Sequence, residues 1–98
     1  MNLVLSPAAI SDLQAISQHT LQTWGEEQET RYLDAIWQTL EKVRTHPEAF
    51  RSRTDLHHGC RSVRSGRHVI FYITTGTSVE VIRILHAAMD FSSHLTPD

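Results

Sequence analysis

Pro47 divides this chain between two regimes of hydrophobic spacing. Before it, apolar residues recur at helical intervals; after it, they gather in short β-branched and aromatic runs. A chain that changes period once near its middle buries both halves by laying helices on a sheet.

The first half reads as two helices. Ser6-Pro7 supplies an N-cap hydroxyl followed by a proline at the first helical position. Ala9, Leu13, Ile16, Thr20 and Trp24 then mark one face, and Gly25 stands where a left-handed C-cap residue belongs. Glu26 and Glu27 complement a second helix N-terminus. Leu33, Ile36, Leu40 and Val43 form its stripe, widened by Tyr32 and Trp37, until Pro47 forces the chain out. The expectation is helices near 7–24 and 27–45, packed as an antiparallel hairpin with Trp24 and Trp37 in the packing.

The second half reads as strands. Residues 48–59 form a polar loop ending in Gly59. Cys60–Arg64 is a short strand, Ser65-Gly66 its turn, Arg67–Thr74 a strand, Thr75-Gly76-Thr77 a turn and Ser78–His86 the last strand. Met89–Leu95 fits one helical turn capped by Asp90 or Ser92. With Leu3-Val4-Leu5 as an opening strand, the fold class is α+β, ordered β-α-α-β-β-β: a helical hairpin on a mostly antiparallel sheet. One domain over 1–98 is expected.

Composition narrows the function. The 40% hydrophobic and 20% charged content is that of an ordinary globule, and the longest apolar run, Val69–Ile73, is far below a bilayer span. The start, Met1–Pro7, has no basic, apolar leader pattern, and the single Cys60 cannot close an internal disulfide; a cytoplasmic location is expected. Charge is uneven. Residues 1–50 set three cations against seven carboxylates, net −4, whereas 51–98 set six arginines against four carboxylates, net +2. That balance argues against generic nucleic-acid coating or specific nucleic-acid binding.

Several side chains invite chemistry. His57-His58 with Asp55 and Cys60 has no zinc-ligand spacing, so solvated loop residues are expected rather than a metal site; no cofactor is implied. Cys60 reads as a small strand residue rather than a nucleophile. His68 and His86 end adjacent strands and should lie close, either as rim residues or as a proton-transfer pair. Arg51, Arg53, Arg61, Arg64 and Arg67 crowd a stretch with one acid, in a chain whose only lysine is Lys42. Arginine suits planar contacts with carboxylate or phosphate, so a partner surface is expected there.

The motifs resemble one family in order and spacing. Leu5-Ser6-Pro7-x-Ala9-x-x-Asp12-Leu13-x-x-Ile16, Trp24-Gly25, Tyr32-Leu33 and Pro47 resemble the amino half of ParE-type toxins in the ParE/RelE superfamily. Leu56-x-x-Gly59-x-Arg61-Ser62, Gly66–Tyr72, Ile82–His86 with Met89-Asp90, and His94-Leu95 are similar to its carboxy half. His19, Glu29 and Phe50 depart from it, standing where relatives often carry Tyr, Ala and Gly.

The resemblance implies the toxin of a type II toxin–antitoxin pair. It implies a ParD-like antitoxin partner, assembly into an oligomer through that antitoxin, and DNA gyrase as the target, stalled on cleaved DNA without hydrolysis by the toxin. It also implies that the carboxy end reaches the target, which points to Arg83, His86, Met89, Asp90 and His94. The five arginines from Arg51 to Arg67 are expected to meet the antitoxin.

Two other readings stand beside it. A RelE-like messenger-RNA endonuclease needs a base, an acid and cations over the phosphate. Arg61 and Arg83 could clamp, and His68, His86 or His94 could supply the acid, but the tail has no Tyr and Lys42 lies on a helix. The other is an inactive relative acting only as an antitoxin-bound co-repressor. The expectation is a binding inhibitor, not an enzyme.

Overall fold

The computed structural model describes residues 1–95; the last three positions of the expected 1–98 domain lie outside the described residues. The chain runs β1 (Asn2–Leu5), α1 (Pro7–Trp24), α2 (Glu26–Thr45), β2 (Arg51–Ser52), β3 (Arg61–Ser65), β4 (His68–Thr75), β5 (Ser78–His86) and a closing 3₁₀ turn, Phe91–Ser93. The five strands form one sheet in the order β1-β5-β4-β3-β2. β1 pairs parallel to β5 and all other pairs are antiparallel. The two helices pack on one face of the sheet, so the fold is α+β as the change of period requires.

The helix ends follow their sequence signals. Ser6 Oγ accepts the Ala9 N–H at 3.0 Å and also donates to the Ile82 carbonyl at 2.8 Å, tying the start of α1 to β5. Gly25 alone joins the helices at φ +91°, a backbone angle that side-chain-bearing residues rarely adopt. With a one-residue joint the helices must lie antiparallel. Ala9, Ile16, Ile36, Leu40 and Val43 then meet Ile70, Tyr72, Val79, Val81 and Ile84 in the main core.

The strands differ from the sequence reading in three ways. The 48–59 stretch contains a two-residue edge strand, because Arg51 and Ser52 pair with Ser62 and Arg61. A pairing this short leaves no alternation to read. Both hairpin loops hold two residues, Gly66-Arg67 and Gly76-Thr77, with each glycine at φ +58° and no other residue type at positive φ. Glycine in the first loop position alone at positive φ is the type II′ arrangement, which matches strand twist. A bulge shifts the β4–β5 register, so Phe71 faces Arg83 but Tyr72 faces Val81. This returns Ile84 to the helix side with Val81, three positions away, and turns Leu85 to the opposite face.

That opposite face is covered as well. Cys60, Phe71, Leu85 and Leu95 form a second buried cluster, with Leu56, Ile73, Ile82 and Phe91 packed on it. The Phe91 ring meets Phe71 edge-on at 4.9 Å, and the Arg53 guanidinium lies 5.9 Å from the Phe91 centroid. The tail therefore straps the sheet instead of fraying.

The tryptophans also correct the sequence reading. Trp24 is 62% exposed and Trp37 48% exposed. Trp24 is the last residue of α1, where the chain turns at Gly25. Trp37 follows the buried Ile36 by one residue, and 100° around the helix carries it to the flank. Among the described residues, no helix is long and apolar enough to cross a membrane.

Candidate functional site

At the end of the sheet nearest Gly25, the helical hairpin and the β3–β4 turn enclose a cleft of about 440 Å³. Its walls carry His19, Trp24, Gln28, Tyr32, Arg67, His68 and His86. The β4–β5 register sets His68 directly opposite His86, with ring centroids 5.3 Å apart and planes near perpendicular. The expected histidine neighbourhood is therefore present.

Tyr32, read from sequence as part of the helical stripe, is the hub of this cleft. Its hydroxyl accepts the Arg67 backbone N–H at 2.9 Å and lies 2.5 Å from His68 Nδ1 and 3.4 Å from the Ser65 carbonyl. The 2.5 Å contact carries one proton between the hydroxyl and Nδ1, and it fixes the ring against α2. Burial, and then the neighbouring His86, pushes the His68 pKa down from 6.5 to about 4, so His68 is neutral at pH 7. The contact with Tyr32 occupies Nδ1 and leaves Nε2 as the ring's other polar atom. His86 Nδ1 accepts the Ala88 N–H at 3.1 Å, which holds that ring in place. Two imidazoles thus line the cleft, each held by a bond at its Nδ1.

The sequence signal for Tyr32 was weak. Its partner Gly66 gave the clue: a Cβ built there would lie 2.8 Å from the Tyr32 ring, so the turn and the tyrosine fit only with glycine at that position.

The residues expected to reach the target divide. Arg83 is held by Asp12 through two N–H···O bonds of 2.8 Å, and the pair is largely shielded. That geometry ties α1 to β5. His86 belongs to the cleft. Met89, Asp90 and His94 are exposed, and Asp90 caps the 3₁₀ turn by accepting the Ser92 N–H and hydroxyl.

The five arginines are likewise spread. Arg51 lies on the β2 edge beside Arg61, whose guanidinium donates to the Phe50 carbonyl at 2.8 Å. Arg53 pairs with Asp55 on the strapped face. Arg64 donates to the Gly66 carbonyl, and Arg67 lines the cleft. Only Arg51, Arg61 and Arg64 share the β2–β3 edge.

A second concavity runs between α1 and α2 on the outer side of the hairpin. It measures about 420 Å³, and Leu13, Leu21, Leu33 and Trp37 supply its apolar wall. Among the described residues, no three His, Cys, Asp or Glu side chains converge as a metal would require. Cys60 is fully buried, and burial pushes its thiol up to about 11, far from the range of a reactive thiolate.

The chain matches, over residues 3–91, the family model of the ParE toxin of the type II toxin–antitoxin system parDE. This protein belongs to the ParE toxin family. Similar curated proteins include Toxin ParE1 of Caulobacter vibrioides, 38% identical over 91 residues that cover 93% of this chain and 94% of the relative. Toxin ParE1 of Mycobacterium tuberculosis is 32% identical, with 94% and 95% covered. A solved structure described as a chromosomal ParDE toxin–antitoxin system from P. aeruginosa superposes at a TM-score of 0.77, covering 88% of this chain and 95% of that one. At 19% identity that likeness shows the fold alone. The family match takes in both helices, all five strands and the start of the strap, so the fold and the toxin assignment rest on the same residues. The ParE toxin described here is thus one half of a type II toxin–antitoxin pair.

Proposed function

We propose that this ParE toxin inhibits DNA gyrase by binding and stalling it on cleaved DNA. In this reading it does not hydrolyse nucleic acid, it is neutralised by a ParD-like antitoxin, and oligomers form through that antitoxin. The observation that carries the antitoxin part is the apolar groove on the hairpin, where Leu21 and Trp37 are each more than two-fifths exposed. An amphipathic antitoxin helix fits such a groove through anchors three and four residues apart. Beyond Ser62, β3 has no outer neighbour among the described residues, so an extended antitoxin segment can pair there beside Arg64. A segment that folds as it binds covers both surfaces, at a cost in ordering entropy.

The non-enzymatic part is supported by how the cations are used. Arg83 is committed to Asp12 and Arg61 to the Phe50 carbonyl, which leaves no paired clamp over a phosphate. Lys42 is exposed on α2, away from the histidine cleft. The gyrase part rests on family membership, and the exposed Met89, Asp90 and His94 are the contacts assigned to it.

The test is direct. Purified toxin added to a gyrase supercoiling reaction should accumulate linear DNA, and a translating lysate should keep its messenger RNA intact. Messenger-RNA cleavage with untouched supercoiling would replace this reading with a ribosome-dependent nuclease. Trp37→Glu should weaken antitoxin capture tenfold or more while the toxin still stalls gyrase.

A further inference from the structure

We propose that the cleft between the helical joint and the β3–β4 turn binds a nucleoside monophosphate. Its oxyanion is held by His68, His86 and Arg67, and its base lies against Trp24. This site is separate from the groove assigned to the antitoxin and from the exposed tail assigned to gyrase.

The oxyanion end follows from hydrogen bonding. Tyr32 and the Ala88 N–H occupy the Nδ1 atoms of His68 and His86, so each ring keeps its Nε2 for a ligand. Both side chains are positioned before any ligand arrives, so little ordering entropy is lost on binding. Arg67 is the cation at this end. Its backbone N–H is fixed on Tyr32, and its exposed side chain makes no hydrogen bond or ion pair among the described residues. Two imidazoles and one arginine suit a phosphate.

The other end follows from helix geometry. Trp24 lies one turn beyond Thr20 on α1 and Gln28 one turn before Tyr32 on α2, so both stand nearer the joint than Tyr32, which touches His68. Trp24 presents an open indole wall, and Gln28 an amide with both donor and acceptor. A peptide carboxylate would use only the histidine end and leave the indole bare. A base joined to a phosphate uses both, and a volume of about 440 Å³ is within the range of small-ligand sites. The ligand is therefore a single nucleotide.

Titration of the full-length toxin at pH 7 with adenosine monophosphate, adenosine and inorganic phosphate tests the assignment. Calorimetry should give saturable binding of the nucleotide, with adenosine and phosphate each at least tenfold weaker. Arg67→Gln and Trp24→Ala alter exposed side chains, so both should stay folded and each should weaken nucleotide binding about tenfold. Ring ¹⁵N shifts of both histidines should move when the nucleotide binds, and Tyr32→Phe should weaken that response at His68. No saturable binding up to about 10 mM nucleotide would overturn the site. So would equal affinity for phosphate alone, or undiminished binding by both exposed variants. Any of these failures would leave the gyrase and antitoxin assignments standing.

Discussion

Asp12 on α1 grips Arg83 on β5 with two parallel hydrogen bonds of 2.8 Å, and the same carboxylate accepts the Ile84 N–H at 2.9 Å. One side chain thus fixes the first helix to the last strand at three points. Asp12→Ala would leave a shielded guanidinium and a backbone N–H without partners. The expected loss is about 2–4 kcal/mol, read as a lower urea midpoint at unchanged slope. Loss of toxicity in an Arg83 variant therefore counts as loss of a target contact only if the midpoint is unchanged.

His68 makes stability depend on pH over a definite window. Its pKa is about 4 in the folded protein and near 6.5 when unfolded, so between these values the unfolded chain binds more protons. Stability should be fullest above pH 6.5, fall as pH drops, and stop falling through this residue near pH 4. After allowance for solvent screening, the change is about 2 kcal/mol. Denaturation curves across this range should flatten in His68→Gln.

The carboxy-terminal strap separates packing from contact. Leu95→Ala should cost about 2–3 kcal/mol by opening a cavity over Phe71 and Leu85, and Asp90→Ala about 1 kcal/mol by removing the cap. Met89→Ala should change stability by less than about 0.5 kcal/mol. If Met89 meets gyrase, that variant should nevertheless lose growth arrest while still binding antitoxin. A fully toxic Met89→Ala would remove the residue from the target surface.

Gly66→Ala should be severe for a surface turn. The residue sits at φ +58°, and its new methyl would lie 2.8 Å from the Tyr32 ring. The expected cost is about 2–3 kcal/mol in thermal or urea unfolding, with loss of the Tyr32–His68 bond.

Cys60 should be inert while the protein is folded. A thiol reagent at pH 8 should label it slowly, and rapidly only once denaturant exposes it, because burial both blocks access and holds the thiol protonated.

Local signals in the sequence determined the α+β class, the helix starts and ends, and the two hairpins. Ser6-Pro7, Gly25 and Pro47 act within one turn of the backbone, and Ile70 and Tyr72 alternate with Phe71 because adjacent strand residues face opposite ways. The family motifs were legible for the same reason, since they are runs of local order. Tertiary structure alone decided the rest. The β4–β5 bulge chose which face Ile84 took, and the 53–59 segment and the strap closed the face that two helices cannot reach. Trp24 left the core for the wall of the cleft. The arginine run divided because β2, β3 and the following turn carry its members in different directions. The cleft is the clearest case. Tyr32 meets His68 across 36 positions of chain and His68 meets His86 across 18. Contacts at such separations depend on the register of the sheet and the seating of the hairpin, which no local pattern of residues encodes.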